Sequence, residues 1–290
     1  MNKILQANLG RGILLLISLI SFLLPTGNEA RASHAMGVDV SYECIGSNSY
    51  IFTVELYRDC FGVAPGSTTS LNFSSASICD APFSAVLSIV NMGGTEVSQV
   101  CPAQIDSTNC SFGGSIPGTE VWTYQGTVTF PSSCTDWMYT WSLCCRNSQI
   151  TNITNPASSD LFIDGLVNTT VCNNSPQFVS IPTPYICMGQ PFCYSLGTSD
   201  PENDSLVFTL TQPLTGAGAP IAYVGGHTIS EPLTSSVPWT FNSVNGQFCF
   251  TPDIAQNGVV KIQIDEYRSG ALIGTSSREL QIIVQSCTNQ

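Results

Sequence analysis

The stretch WTYQGTVTF (122–130) alternates without a break. Trp122, Tyr124, Val128 and Phe130 fall on one side, with Gly126 between them. Thr123, Gln125, Thr127 and Thr129 fall on the other. Successive side chains of a strand point to opposite faces, so this period of two describes a strand with one buried and one solvated face. YIFTVEL (50–56) repeats the pattern with Tyr50, Phe52, Val54 and Leu56 inward, and VKIQIDEY (260–267) repeats it with Val260, Ile262 and Ile264 inward. Gly, Pro, Ser and Asn clusters separate such runs, and no stretch carries the 3.6-residue period of an amphipathic helix. The reading is all-β, built from immunoglobulin-like β-sandwiches.

Two sandwiches fit the 290 residues. Residues 1–32 read as a secretory signal peptide: Lys3 and Arg11, the apolar run ILLLISLISFLL (13–24), Pro25, then Ala30-Arg31-Ala32 as cleavage site. The apolar run is too short to span a bilayer, and no later stretch is apolar enough to do so. A second boundary falls near VCNNSPQF (171–178), where a cysteine-rich texture gives way to more regular strands. The expected organisation is a signal peptide (1–32), a Cys-rich β-sandwich (33–172) and an immunoglobulin-like or cadherin-like β-sandwich (173–290).

Charge narrows the partners. Beyond residue 32 the chain holds five basic and nineteen acidic residues. So acidic a surface repels phosphate backbones and anionic headgroups, which excludes nucleic acid and disfavours membrane insertion. With bases this scarce, Arg58, Arg146 and Arg268, each at the end of an apolar strand, are expected to clamp a carboxylate or carbonyl.

All 13 cysteines lie beyond the signal. In an exported chain they read as a disulfide framework, and the odd number leaves at least one outside it. No C-x-x-C pair is present, and neither His34 nor His227 lies near a cysteine cluster, which argues against zinc. Cys193 in FCY and Cys249 in FCF are expected to pair, leaving Cys187 and Cys287 to close the second domain. Cys144 and Cys145, read as strand neighbours, are expected to bond to two different partners.

Catalytic signatures are missing. There is no G-x-S-x-G elbow, no H-E-x-x-H, and no recognisable carboxylate pair. Two non-enzymatic readings follow. The first is a non-catalytic exported module, secreted or at the cell surface, for adhesion or structural spacing, with other surface proteins or extracellular glycans as partners. The alternative is a carbohydrate-binding accessory module of a polysaccharide-degrading system, with Trp137, Trp141 and Trp239 as stacking platforms. Trp137 and Trp141 share a strand face with Tyr139 and Leu143, which reads as core.

Several stretches are familiar together: ASHAMG, YECIG, ELYRDC, LCCRN, CNNSP, TSDPENDSL and DEYRSGALIG. In this order they resemble the N-terminal region of large secreted Bacteroidota surface proteins of the gliding motility-associated or adhesin-like kind. The second half resembles a cadherin-like or dystroglycan-type immunoglobulin fold, in which D-P-x-x-D-S-L follows a strand.

TSDPENDSL (198–206) gathers hard oxygen ligands in one turn, which suits calcium. Asp200 and Asp204 are the first candidate ligands, with Glu202 and Asn203 adding side-chain oxygens. The resemblance implies that Asp265 or Glu266 approaches from a neighbouring strand. The competing reading is a plain solvated turn: Pro201 sets φ, and Asp200 and Asn203 bond their own backbone.

Overall fold

A computed structural model describes residues 35–287. The signal peptide expected at 1–32 lies outside the described residues, as does His34.

The chain runs as strands throughout. The first half contributes β1 (Ala35–Gly46), β2 (Ser49–Asp59), β3 (Thr68–Ser75), β4 (Phe83–Ile89), the short β5 (Thr95–Glu96), β6 (Thr119–Thr129), β7 (Trp137–Leu143) and β8 (Leu161–Val167). The second contributes β9 (Tyr185–Cys187), β10 (Phe192–Tyr194), β11 (Ser205–Thr211), β12 (Leu214–Thr215), β13 (Ala219–Pro220), β14 (Thr240–Phe241), β15 (Phe248–Phe250), β16 (Gln256–Arg268) and β17 (Ala271–Gln285). The fold is all-β, and its strand faces follow the period-two pattern. Tyr50, Phe52, Val54 and Leu56 of β2 are all buried, as are Tyr124 and Val128 of β6.

Two large apolar cores form, with a smaller cluster of Ile150, Ile153, Ile221 and Val259 that draws on both halves. One is lined by Val40, Phe52, Leu71, Tyr124, Trp137, Tyr139 and Ile163, among others of the first half. Its aromatic rings meet edge to face: Phe52 lies 5.3 Å from Phe73 and 5.7 Å from Tyr139. The other is lined by Leu196, Phe208, Phe248, Ile262, Ile264, Leu280 and Ile282. The sequence boundary at 172/173 falls between these cores, but the hydrogen-bond ladder does not stop there. In the first half the order is β1-β2-β6-β4-β3-β7-β8. Both ends of that sheet dock on β17: β1 through Val38 and Glu279, β8 through Leu166 and Thr275. The last strand therefore closes the first half into a continuous ring while pairing along its other edge with β16. The described residues fall within one compact unit.

This shared strand explains burial that alternation alone does not predict. β16 presents Val260, Ile262 and Ile264 to the second core, as expected. Its other face is not solvated either. Lys261 is 3% exposed, with Nζ 2.7 Å from Asp164 of β8. Every basic residue among those described has a carboxylate partner: Arg58 with Glu120, Arg146 with Glu279, Lys261 with Asp164, Arg268 with Asp204 and Arg278 with Asp39.

Disulfides join Cys44 to Cys172, Cys60 to Cys110 and Cys79 to Cys134 in the first half. Cys193 joins Cys249 between neighbouring strands β10 and β15, and Cys187 joins Cys287. Cys101 is free and exposed. The expectation for Cys144 and Cys145 is corrected: they bond to each other. Strict alternation holds only within a strand, but β7 ends at Leu143 and the pair lies in the loop beyond it. Outside a strand nothing forces neighbouring side chains to opposite faces.

Candidate metal centre

Residues 200–204 form a tight turn leading into β11. Asp200 Oδ1 accepts the backbone N–H of Asp204 at 2.6 Å and of Glu202 at 3.1 Å. Asn203 N donates to Asp200 O, and Asn203 takes a left-handed backbone at φ 62°. Asn tolerates that region better than most residues. The turn chemistry anticipated from sequence is thus present, but it occupies only one oxygen of Asp200.

Antiparallel pairing then brings the turn to the end of β16. Ser205 pairs with Tyr267 and Leu206 with Glu266. Asp200, Glu202, Asp204 and Glu266 each offer a carboxylate oxygen within 4.8 Å of the others. Asp265, the other expected ligand on β16, is corrected: it points to the opposite face and accepts from Thr275 Oγ1 and Gln263 Nε2, both at 2.9 Å. Strand parity is the reason. Glu266 shares the face of Val260, Ile262 and Ile264, so its approach was readable in the alternation. Asn203 is exposed and serves the turn through its backbone.

The far wall, absent from the sequence reading, is the segment just past the 172/173 boundary, held against β1 of the first half. Asn173 Nδ2 donates to Glu266 Oε1 at 2.7 Å, and Asn174 Nδ2 donates to Glu202 Oε1. The CNNSP segment is itself fixed beside β1. Cys172 is tied to Cys44, Asn174 Oδ1 accepts Cys44 N at 2.8 Å, and Ser175 Oγ accepts Tyr42 N at 2.9 Å. Arg268 holds Asp204 through Nε and Nη2 and also donates to Asn173 Oδ1.

The centre is under-satisfied. Glu266 is fully buried, yet its Oε2 has no hydrogen-bond partner; neither does Asp200 Oδ2 nor the Tyr42 hydroxyl. A Cβ placed on Gly274 would meet Glu266 Oε2 and Tyr42 Oη, each at 2.7 Å, so glycine keeps that hollow open. Burial pushes the Glu266 carboxyl up to about 8, with Asn173 pulling it down and the neighbouring Asp200 adding to the rise. Two carboxyls facing each other cannot both ionise without something positive between them. Four carboxylates against one guanidinium leave room for a proton or a hard divalent cation, and a ligand set of oxygens alone selects the calcium and magnesium class. The other cysteine-containing acid groups, around Asp136 and Asp160, have their thiols locked in disulfides.

The Trp candidates separate cleanly. Trp137 and Trp141 are 0% and 1% exposed and belong to the first core, so they present no ring to a ligand. Trp239 is half-buried and lines a cleft together with His227.

No family model matches the sequence, and no curated protein does. Among solved structures, the chain is similar to the two tandem V-type regions of a v-region-containing chitin binding protein (TM-score 0.39, 8% identity, covering 86% of this chain and 99% of that one). It is also similar to a titin Ig tandem (TM-score 0.24, 9% identity, 87% and 99%). Both neighbours are tandems of immunoglobulin-type domains. At such overlaps they add nothing to the all-β class that the strands already establish.

Proposed function

We propose that this chain is a non-catalytic exported module, secreted or at the cell surface, for adhesion or structural spacing, braced by a calcium-class cation at Asp200, Glu202, Asp204 and Glu266. The observation that carries the reading is the pair of unpartnered buried carboxyl oxygens, Asp200 Oδ2 and Glu266 Oε2, beside walls drawn from both halves. A cation there ties the turn before β11 to the segment held against β1. That joint is where a spacer needs stiffness. Six disulfides suit an oxidising compartment. The internal pairing of every described base leaves an acidic exterior, which suits other surface proteins or extracellular glycans as partners rather than nucleic acid.

The test is a melting curve of the folded chain in calcium and in chelator. A cation that binds only the folded state stabilises by RT ln(1 + [L]/Kd), about 2.7 kcal/mol at a hundredfold excess over Kd. The midpoint is expected to rise with calcium, and the rise to vanish in Glu266→Gln combined with Asp200→Asn. Equal midpoints in both buffers would reduce the cluster to a proton-sharing turn. Binding of the labelled chain to whole cells, with and without chelator, tests the adhesive role separately.

A further inference from the structure

The cleft beside His227 and Trp239 stands apart from the cation centre and is not used by it. It encloses about 420 Å³ and is lined by Gly225, Gly226, His227, Glu231, Ser236 and Trp239, among others. Trp239 is the most firmly held of these. Its indole N–H donates to Leu233 O at 2.9 Å. Its ring stacks on Phe250 at 4.2 Å and 14°, and on Phe248 at 5.2 Å and 25°. Phe248 and Phe250 are alternate residues of β15 and so lie on one face. One side of the indole is therefore covered, and the ring is fixed in orientation. What remains accessible faces the cleft.

Two further polar side chains that line the same cleft have no work inside the fold. Neither the His227 imidazole nor the Glu231 carboxylate has a hydrogen bond or ion pair among the described residues. The loop supplying them turns through Gly225 and Gly226, at φ 67° and 85°, which leaves that wall bare of side chains. Ser235 and Ser236 hydroxyls, by contrast, are spent on Thr251 O.

A cleft that combines a fixed indole with an uncommitted carboxylate and imidazole offers what the two surfaces of a pyranose need. The axial C–H face stacks on the ring, and the equatorial hydroxyls hydrogen-bond the polar groups. Charge chooses between sugars. Nineteen acids stand against five bases beyond residue 32, and each base is already paired. Uronates, sulfated sugars and phosphates are repelled. We propose that the cleft of His227, Glu231 and Trp239 binds a short neutral stretch of an extracellular polysaccharide.

The experiment titrates the full chain with neutral hexasaccharides of glucose, xylose, mannose and N-acetylglucosamine, and with oligogalacturonate, reading calorimetric heat and Trp fluorescence. It is run in calcium and again in chelator. Because the cleft shares no residue with the cation centre, binding in both buffers is expected whatever the fate of that centre. At least one neutral oligomer is expected to bind, and oligogalacturonate is not. Trp239→Ala is expected to abolish binding but also strips a ring from the core. Glu231→Gln with His227→Ala keeps the fold intact by its unchanged melting midpoint and is expected to weaken binding roughly tenfold through lost hydrogen bonds. Failure of all four neutral oligomers on folded protein, equal affinity in the double variant, or tighter binding of oligogalacturonate would each overturn the proposal.

Discussion

Arg146 and Glu279 meet through two parallel hydrogen bonds, Nε to Oε1 and Nη2 to Oε2, each 2.7 Å, with both side chains 1% exposed. They are 133 residues apart in the chain. Arg146 also donates to the carbonyls of Asp160 and Leu214. One guanidinium thus binds the loop after β7, the approach to β8, the β12 strand and the closing strand β17. Burying two charges is costly, and here it is offset by a bidentate geometry with further donors satisfied.

Removing one partner leaves the other charge buried alone. Glu279→Gln is expected to destabilise by about 3–5 kcal/mol, and Arg146→Met by a similar amount. The two are in direct contact, so the double variant is expected to lose less than the sum. Denaturant unfolding of the four proteins checks this. Additive losses would mean the pair is not energetically coupled.

Strand β17 walls the second core and closes the ring of the first half at once. Heat is therefore expected to unfold the chain in one transition, with calorimetric and van't Hoff enthalpies equal. Two resolved peaks would show that the halves unfold independently despite the shared strand.

The pH response follows from Glu266. Its folded pKa, about 8, lies above the ordinary carboxyl value of 4.5 because burial penalises the charged form. Between those values the folded state binds more protons than the unfolded state, so stability falls as pH rises through the window and levels off above it. In chelator the melting midpoint is expected to drop between pH 5 and pH 8. Glu266→Gln is expected to flatten that slope. Calcium is expected to flatten it too, by taking the proton's place. A slope unchanged in Glu266→Gln would place the titration elsewhere.

Phe52 is 0% exposed and touches the rings of Tyr42, Phe73, Phe130 and Tyr139. Phe52→Ala is expected to cost about 3–5 kcal/mol through lost burial and the cavity left behind. Trp141→Phe, a smaller change in the same core, is expected to cost less and to leave saccharide titration unaltered. An effect of Trp141→Phe on binding without loss of stability would contradict its burial.

Much of this protein is legible in its sequence, for a local reason. Side-chain direction in a strand depends only on position parity, so WTYQGTVTF, YIFTVEL and VKIQIDEY declare their buried faces without any knowledge of partners. Turn chemistry is equally local, which is why TSDPENDSL announced both its acids and its backbone bonds. The same parity, applied one residue further along β16, separates Glu266 from Asp265. The scarcity of bases foretold that Arg58, Arg146 and Arg268 would be clamped. Which carboxylate each one takes was not legible, since Glu120, Glu279 and Asp204 lie 62, 133 and 64 residues away. The reading of Cys144 and Cys145 failed because a strand's end is set by where its neighbours stop pairing, not by its own residues. Asn173 and Tyr42 reach the acidic turn only because β17 carries the second half against β1, and no local pattern encodes that pairing. The sequence by itself determined the strands, their faces, the acidic balance and the turn. Tertiary structure alone decided that one strand would serve both halves, burying the polar face of β16 and leaving two carboxyl oxygens without a partner, because those outcomes depend on contacts between segments whose spacing along the chain carries no periodic signal.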